Sequence, residues 1–164
     1  MTGYEEFLLA TGAIGIGATL VMDLWALFLL RAFSIPSLNY AMVGRWIGHI
    51  PRGQLVHINI AEARPITGER IIGWTAHYVI GVIFAGLLIS IWGLSWTVSP
   101  TPFPAVAFGL ATIAAPFFIL QPGMGAGVAA SKTPAPNVAR FRSLSAHMSF
   151  GIGLYLSALL YGLL

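Results

Sequence analysis

From Phe7 to Leu30 the chain is apolar without interruption except at Asp23, and no other stretch constrains the fold as much. The run is 24 residues long. A helix of about 20 residues crosses the roughly 30 Å hydrocarbon core of a bilayer. Acidic residues, Glu5 and Glu6, precede the run, and it exceeds the apolar core of about 7 to 15 residues found in signal peptides, so a permanent span is expected. A carboxylate at that depth is costly against lipid and usually faces other helices, a water-filled cavity or a partner of opposite polarity. Asp23 therefore predicts a bundle around it.

The rest of the chain supplies the partners. Residues 71–131 contain no charged side chain, and Thr97-Val98-Ser99-Pro100-Thr101-Pro102 interrupts that neutral stretch. Paired prolines end helices and make turns, which gives spans at about 71–96 and 103–121. A charge-free stretch at 143–164 gives a fourth. Only 8% of residues are charged and 57% are hydrophobic, against about 25% charged in soluble domains. The expectation is an all-α membrane protein: one integral domain over 1–164, a four-transmembrane-helix bundle with spans at 7–30, 71–96, 103–121 and 143–164. The absence of cysteine excludes disulfides, thiolate metal sites and Cys nucleophiles.

Basic residues collect in two connections, 31–70 and 122–142. Alternating helices put both on one side, and the positive-inside rule makes that side cytoplasmic, with the N-terminus and C-terminus outside. No nucleic-acid-binding motif accompanies the net charge of +3, so the implied partners are membrane lipids rather than nucleic acid. Arg45, Arg52, Lys132, Arg140 and Arg142 are the expected lipid-phosphate contacts. In the first connection Ser37 is placed to cap a short interfacial helix reaching Ile47, with Tyr40, Val43, Trp46 and Ile47 toward lipid and Arg45 and His49 among head groups. Trp74 near one interface and Trp92, Trp96 and Tyr161 near the other fit aromatic belts.

The chain also matches itself. Thr75-Ala76-His77-Tyr78-Val79-Ile80-Gly81-Val82 parallels Ser145-Ala146-His147-Met148-Ser149-Phe150-Gly151-Ile152, and Ala18-Thr19-Leu20 parallels Ala111-Thr112-Ile113. The pattern is that of a duplicated helical hairpin, two parallel repeats about an axis along the membrane normal. Asp23 aligns with Pro116, so one copy carries an acid where the other carries a helix breaker.

Helical spacing then lines up polar and small residues. Thr11, Gly15, Thr19 and Asp23 form one stripe, Gly73, His77, Gly81 and Ala85 a second, and Ser143, His147 and Gly151 a third. Small residues at this spacing let membrane helices approach, and polar groups among them hydrogen-bond across the contact. At about 1.5 Å of rise per residue, Asp23, His77 and His147 lie roughly 8 to 12 Å inside the basic ends of their spans. Gln121 ends the third span on the same side.

This set, Asp23, His77, His147, Gln121 and Thr19, is the candidate ligand or proton site. Asp23, His77 and His147, with His49 or His57, make a plausible divalent-metal shell. Paired histidines, each with Gly one turn on, suit a haem iron. An Asp and His pair suits a proton relay. Hydrolysis by Ser143, Ser145 or Ser149 lacks a nucleophile-elbow motif. Against all of these stands a purely structural role, in which the polar pairs fix helix register. Gly123-Met124-Gly125-Ala126-Gly127 resembles a phosphate loop but follows a helix where a nucleotide fingerprint needs a strand. A flexible or re-entrant turn is the better description, its amides available with Lys132 and Arg140 for a lipid phosphate.

The segments Ala18-Thr19-Leu20-Val21-Met22-Asp23-Leu24-Trp25, Gly44-Arg45-Trp46-Ile47-Gly48-His49 and Gln121-Pro122-Gly123-Met124-Gly125 resemble an uncharacterised family of small bacterial inner-membrane proteins, a domain of unknown function. The resemblance covers nearly the whole chain. It implies a multi-pass protein of the bacterial inner membrane and transfers no catalytic residue. The functional expectation is binding or transport of a small ligand or ion through the Asp/His cluster. The alternatives are an accessory subunit of a membrane complex or homo-oligomer, and a haem- or metal-binding redox protein.

Overall fold

A computed structural model describes residues 3–163, and every regular element among them is helical. Helix α1 is Gly3–Phe33, α2 Tyr40–His49, α3 Glu69–Trp92, α4 Ser95–Val98, α5 Pro102–Ala111, α6 Gln121–Gly123 and α7 Pro136–Tyr161. Four helical stretches are long and apolar enough to cross a membrane: α1, α3, Pro102–Gly123 and α7. Their bounds differ from the sequence expectation where a local signal was hidden among apolar neighbours. Gly93 adopts φ +85°, a left-handed conformation that ends α3 at Trp92. Trp96 accordingly falls in α4 and is buried at 6% exposure. Helix α7 starts seven residues before the expected 143, at Pro136, whose missing N–H costs nothing at a first helical turn.

The third span is not one regular helix. Pro116 cannot donate to the carbonyl one turn back, and the chain answers with a π-helical turn over Pro116–Leu120, closed by the Gln121 amide donating to the Pro116 carbonyl.

The chain divides into two compact units. The first holds residues up to Ser37, Tyr78–Thr112 and those from Ser145 on; the second holds Leu38–His77 and Ile113–Leu144. In the first unit, segments of all four long stretches share one core. Ala10, Ile14 and Ala18 of α1 pack with Ala85, Leu88 and Ile89 of α3, Ala105 of α5, and Phe150, Leu154 and Ala158 of α7. Small residues set the spacing. A Cβ on Gly15 would strike the Val82 backbone, and one on Gly109 would strike that of Gly151. The outward face of α1, by contrast, presents Leu8, Leu9, Ile16, Leu20, Leu24 and Phe28. Apolar side chains outside and small or polar ones between helices are the arrangement membrane bundles use.

The second unit joins the two basic connections. The His57 and Ile60 amides donate to the carbonyls of Gly123 and Met124 at 2.9 and 3.1 Å. Gly125, at φ +92°, lies so close to the Ile58 carbonyl that no side chain fits. The glycine-rich loop is thus a backbone-paired turn, and the amides of Met124, Gly125 and Ala126 donate to Leu120, Pro122 and Gln121 carbonyls. Helix α2 rests on the start of α3 through another glycine contact. A Cβ at Gly44 would overlap the Glu69 carbonyl, and one at Gly73 the Tyr40 carbonyl.

The orientation of α2 corrects the sequence reading. Its N-cap is Asn39, whose side chain accepts from the Ala41 amide, in place of Ser37. Its inward face carries Val43, Gly44, Arg45 and His49, all buried. The reason is a distant partner. Arg45 donates through Nε and Nη2 to both carboxylate oxygens of Glu69.

Candidate functional site

In the first unit, α1 brings Asp23 to Tyr78 of α3, whose hydroxyl donates to the carboxylate at 2.9 Å. Thr112, just past the end of α5, meets Nδ1 of His147 on α7 at 2.8 Å. The Thr112 hydroxyl also donates to the Gly109 carbonyl at 2.6 Å. With that proton committed, Thr112 Oγ1 can only accept from His147. The imidazole therefore carries its proton on Nδ1, and in its neutral form the lone pair is on Nε2. A third bond, Trp25 Nε1 to Ser145 Oγ at 2.7 Å, ties α1 to α7. Each of the four spans thus contributes a polar side chain to a side-chain pair in this unit.

Thr19 is buried at 1% exposure, and its hydroxyl donates to the Gly15 carbonyl of its own helix at 2.8 Å. Its side chain fills the space that a Cβ on Gly81 would need. It is a packing contact between α1 and α3.

His77 belongs to the second unit, where its Nε2 lies 3.0 Å from the Tyr40 hydroxyl and its ring stacks near those of Tyr40 and Trp74. Gln121, also in that unit, donates from Nε2 to Ser143 Oγ at 3.3 Å, while its buried Oε1 has no partner among the described residues. His49 and His57 lie edge to face with ring centres 5.0 Å apart. His57 donates from Nδ1 to the Gly123 carbonyl at 3.3 Å and keeps a buried Nε2 with no partner among the described residues. Among the described residues no three His, Asp or Glu side chains gather as a metal-holding group.

The basic residues differ in what they can reach. Arg45 is 8% exposed; besides Glu69 it donates to the carbonyls of Ile60, Ala61 and Ala63, so its donors are used internally rather than on lipid phosphate. The hydrogen bond to Glu69 raises the guanidinium's pKa above its ordinary value, and burial opposes it only in part. Arg140 donates to Ala129 and Asn137, and Arg52 to Gly48. Arg52, Lys132, Arg140 and Arg142 are all exposed.

Sequence reasoning missed Tyr40, Tyr78 and Thr112, the partners of the three ionisable groups. Two signals were available. Thr112 stands in the internal match opposite Thr19, and Tyr78 directly follows His77.

Four apolar helices with polar pairs held between them define an all-helical protein of the membrane-spanning class. The chain belongs to the family described as "Protein of unknown function (DUF2938)", which matches residues 13–161. No curated protein and no solved structure matches it.

Proposed function

We propose that this protein binds a small ligand or ion within its membrane-embedded part and moves it, or a proton, across part of the bilayer. The observation that carries the reading is the fixed tautomer of His147 in the unit that also holds the Asp23 and Tyr78 pair. A histidine whose Nδ1–H is held by a fixed acceptor keeps one tautomer and one ring orientation, the arrangement that second-shell partners impose on working imidazoles. An acid at bilayer depth is a functional hypothesis by default. In this reading Asp23 is the proton carrier, His147 the paired base, and His77 and Gln121 the polar groups of the second unit. The chain is set in a bacterial inner membrane, both termini outside and the two basic connections cytoplasmic, as two parallel hairpin repeats with lipid as its surroundings.

A second reading, a subunit whose polar pairs only fix helix register, is favoured by the same side chains bonding one another. Asp23→Asn separates the two, because an amide still accepts from Tyr78 but cannot take up and release a proton. In proteoliposomes enclosing a pH-sensitive dye, wild type is expected to relax an imposed pH difference faster than empty vesicles, and the variant to fold yet lose that rate. A folded variant with the wild-type rate supports the packing role and ends the transport reading.

A further inference from the structure

Within the second unit the first connection folds around a cavity of about 500 Å³, lined by His49, Arg52, Gln54, Arg64, Ile66 and Thr67. That volume falls in the range of about 300 to 1,000 Å³ typical of small-molecule sites. Among the described residues its only permanently charged side chains are two arginines, and no carboxylate lines it.

The walls are fixed from beneath. His49, 5% exposed, lies at the end of α2 with one ring nitrogen on each wall. Nε2 sits 2.9 Å from the Arg64 carbonyl, which can only accept, so His49 donates there; Nδ1 meets Oε1 of the Gln54 side chain. Arg52 is steadied by one bond to the Gly48 carbonyl at 2.9 Å. The segment carrying Arg64 and Thr67 is pinned on its far side, where the Ile66 amide donates to Glu69 at 3.0 Å and Arg45 holds the Ala63 carbonyl at 3.2 Å. Ile66 closes the floor against Gly48, where a Cβ would collide with it.

The contrast with Arg45 indicates what the cavity takes. Arg45 has a carboxylate partner and is buried; Arg52 and Arg64, on the same connection, have none among the described residues and are exposed. Guanidinium groups match phosphate oxygens in paired, charge-assisted bonds, and the hydroxyl of Thr67 adds a neutral donor. We propose that this cavity is a phosphate-binding site, with Arg52 and Arg64 clamping the phosphate, Thr67 completing its contacts, and His49 as the positioning residue that holds both walls. The same chemistry is offered by the head group of an anionic phospholipid and by a free phosphate.

The test uses the full chain in nanodiscs of phosphatidylcholine, with and without phosphatidic acid, and inorganic phosphate as the soluble probe. Wild type is expected to retain phosphatidic acid in native mass spectra, or to gain thermal stability with inorganic phosphate; the first result identifies a lipid source, the second a free one. The pair Arg52→Gln and Arg64→Gln is expected to weaken either response about tenfold, with Arg31→Gln as a control that leaves it intact. A double variant with wild-type helical content and an unchanged response overturns the proposal. Should that variant fail to fold, phenylglyoxal labelling of wild type decides. Protection of Arg52 and Arg64, but not Arg31, by either probe supports the site, and equal labelling with and without both probes removes it.

Discussion

Arg45 and Glu69 meet through two parallel N–H···O bonds, Nε to Oε2 and Nη2 to Oε1, each 2.8 Å long. The pair joins α2 to the first residue of α3, and the remaining donors of Arg45 gather the 60–63 segment around it. Both side chains are largely withdrawn from solvent, at 9% and 18% exposure. Removing one partner strands the other, which for a buried pair costs about 3 to 5 kcal/mol. Arg45→Met is therefore expected to destabilise the protein by about 3 kcal/mol. The double change Arg45→Met with Glu69→Leu should recover much of that loss. Thermal unfolding followed by circular dichroism checks both, and equal losses in single and double variants would show that the two residues are not coupled.

That pair also explains where sequence reasoning stops. Taken alone, residues 40–49 read as an interfacial helix with its arginine among head groups, because nothing within ten residues tells Arg45 to turn inward. The instruction is Glu69, 24 positions on. Long apolar runs, by contrast, announce themselves, since about 20 uncharged residues have few alternatives to crossing a membrane. Asp23, His77 and His147 were legible as polar groups in apolar helices. Their partners were not, because Tyr40, Tyr78 and Thr112 are common in membrane helices and only coordinates show which hydroxyl meets which acid or imidazole. Gly93 was obscured in a similar way, as one glycine among 19.

Gly44 and Gly73 make a sharper test of the α2 contact. Each faces backbone of the other helix with no room for a methyl group. Gly44→Ala must push α2 away from α3 and lengthen the Arg45 to Glu69 bonds. Overpacking of this kind costs about 1 to 3 kcal/mol, and the ion-pair strain places the expected loss at the upper end. Gly12→Ala is the matched control, because nothing lies within 4 Å of a Cβ there. The melting temperature should fall for Gly44→Ala and hold or rise for Gly12→Ala. A fall of similar size in both would mean that α2 does not rest on α3 as described.

Two of the polar pairs of the first unit should differ in what they lose. Tyr78→Phe takes away the hydroxyl that donates to Asp23 and leaves the carboxylate in place. Hydrogen bonds to charged groups are worth about 1.5 to 3 kcal/mol. Thr112→Val removes the acceptor that holds His147 Nδ1–H and so frees the choice of tautomer. The nitrogen-15 shifts of the His147 ring report this directly. Wild type is expected to show the Nδ1–H form, and the valine variant a mixture; a wild-type spectrum that is already mixed contradicts the assignment.

Ser34 offers a gain rather than a loss. It follows the last residue of α1 at φ +56°, a left-handed conformation in which its amide donates to the Leu30 carbonyl at 3.0 Å and the next amide, Ile35, reaches back to Leu29 at 3.2 Å. The Ser34 bond is the five-to-one closure with which helices commonly end, and its left-handed residue is usually glycine. A side chain there costs about 1 to 2 kcal/mol through crowding of Cβ against the following carbonyl. Glycine gives back part of that advantage, because it loses more conformational freedom on folding. Ser34→Gly is expected to stabilise the protein by about 0.5 to 1 kcal/mol, and Ser34→Val, branched at the crowded carbon, to destabilise it. Ser34 is exposed, so little packing changes to offset either result. Unfolding midpoints in the same lipid or detergent rank the three proteins, and any order other than glycine above serine above valine would show that α1 does not close in this way.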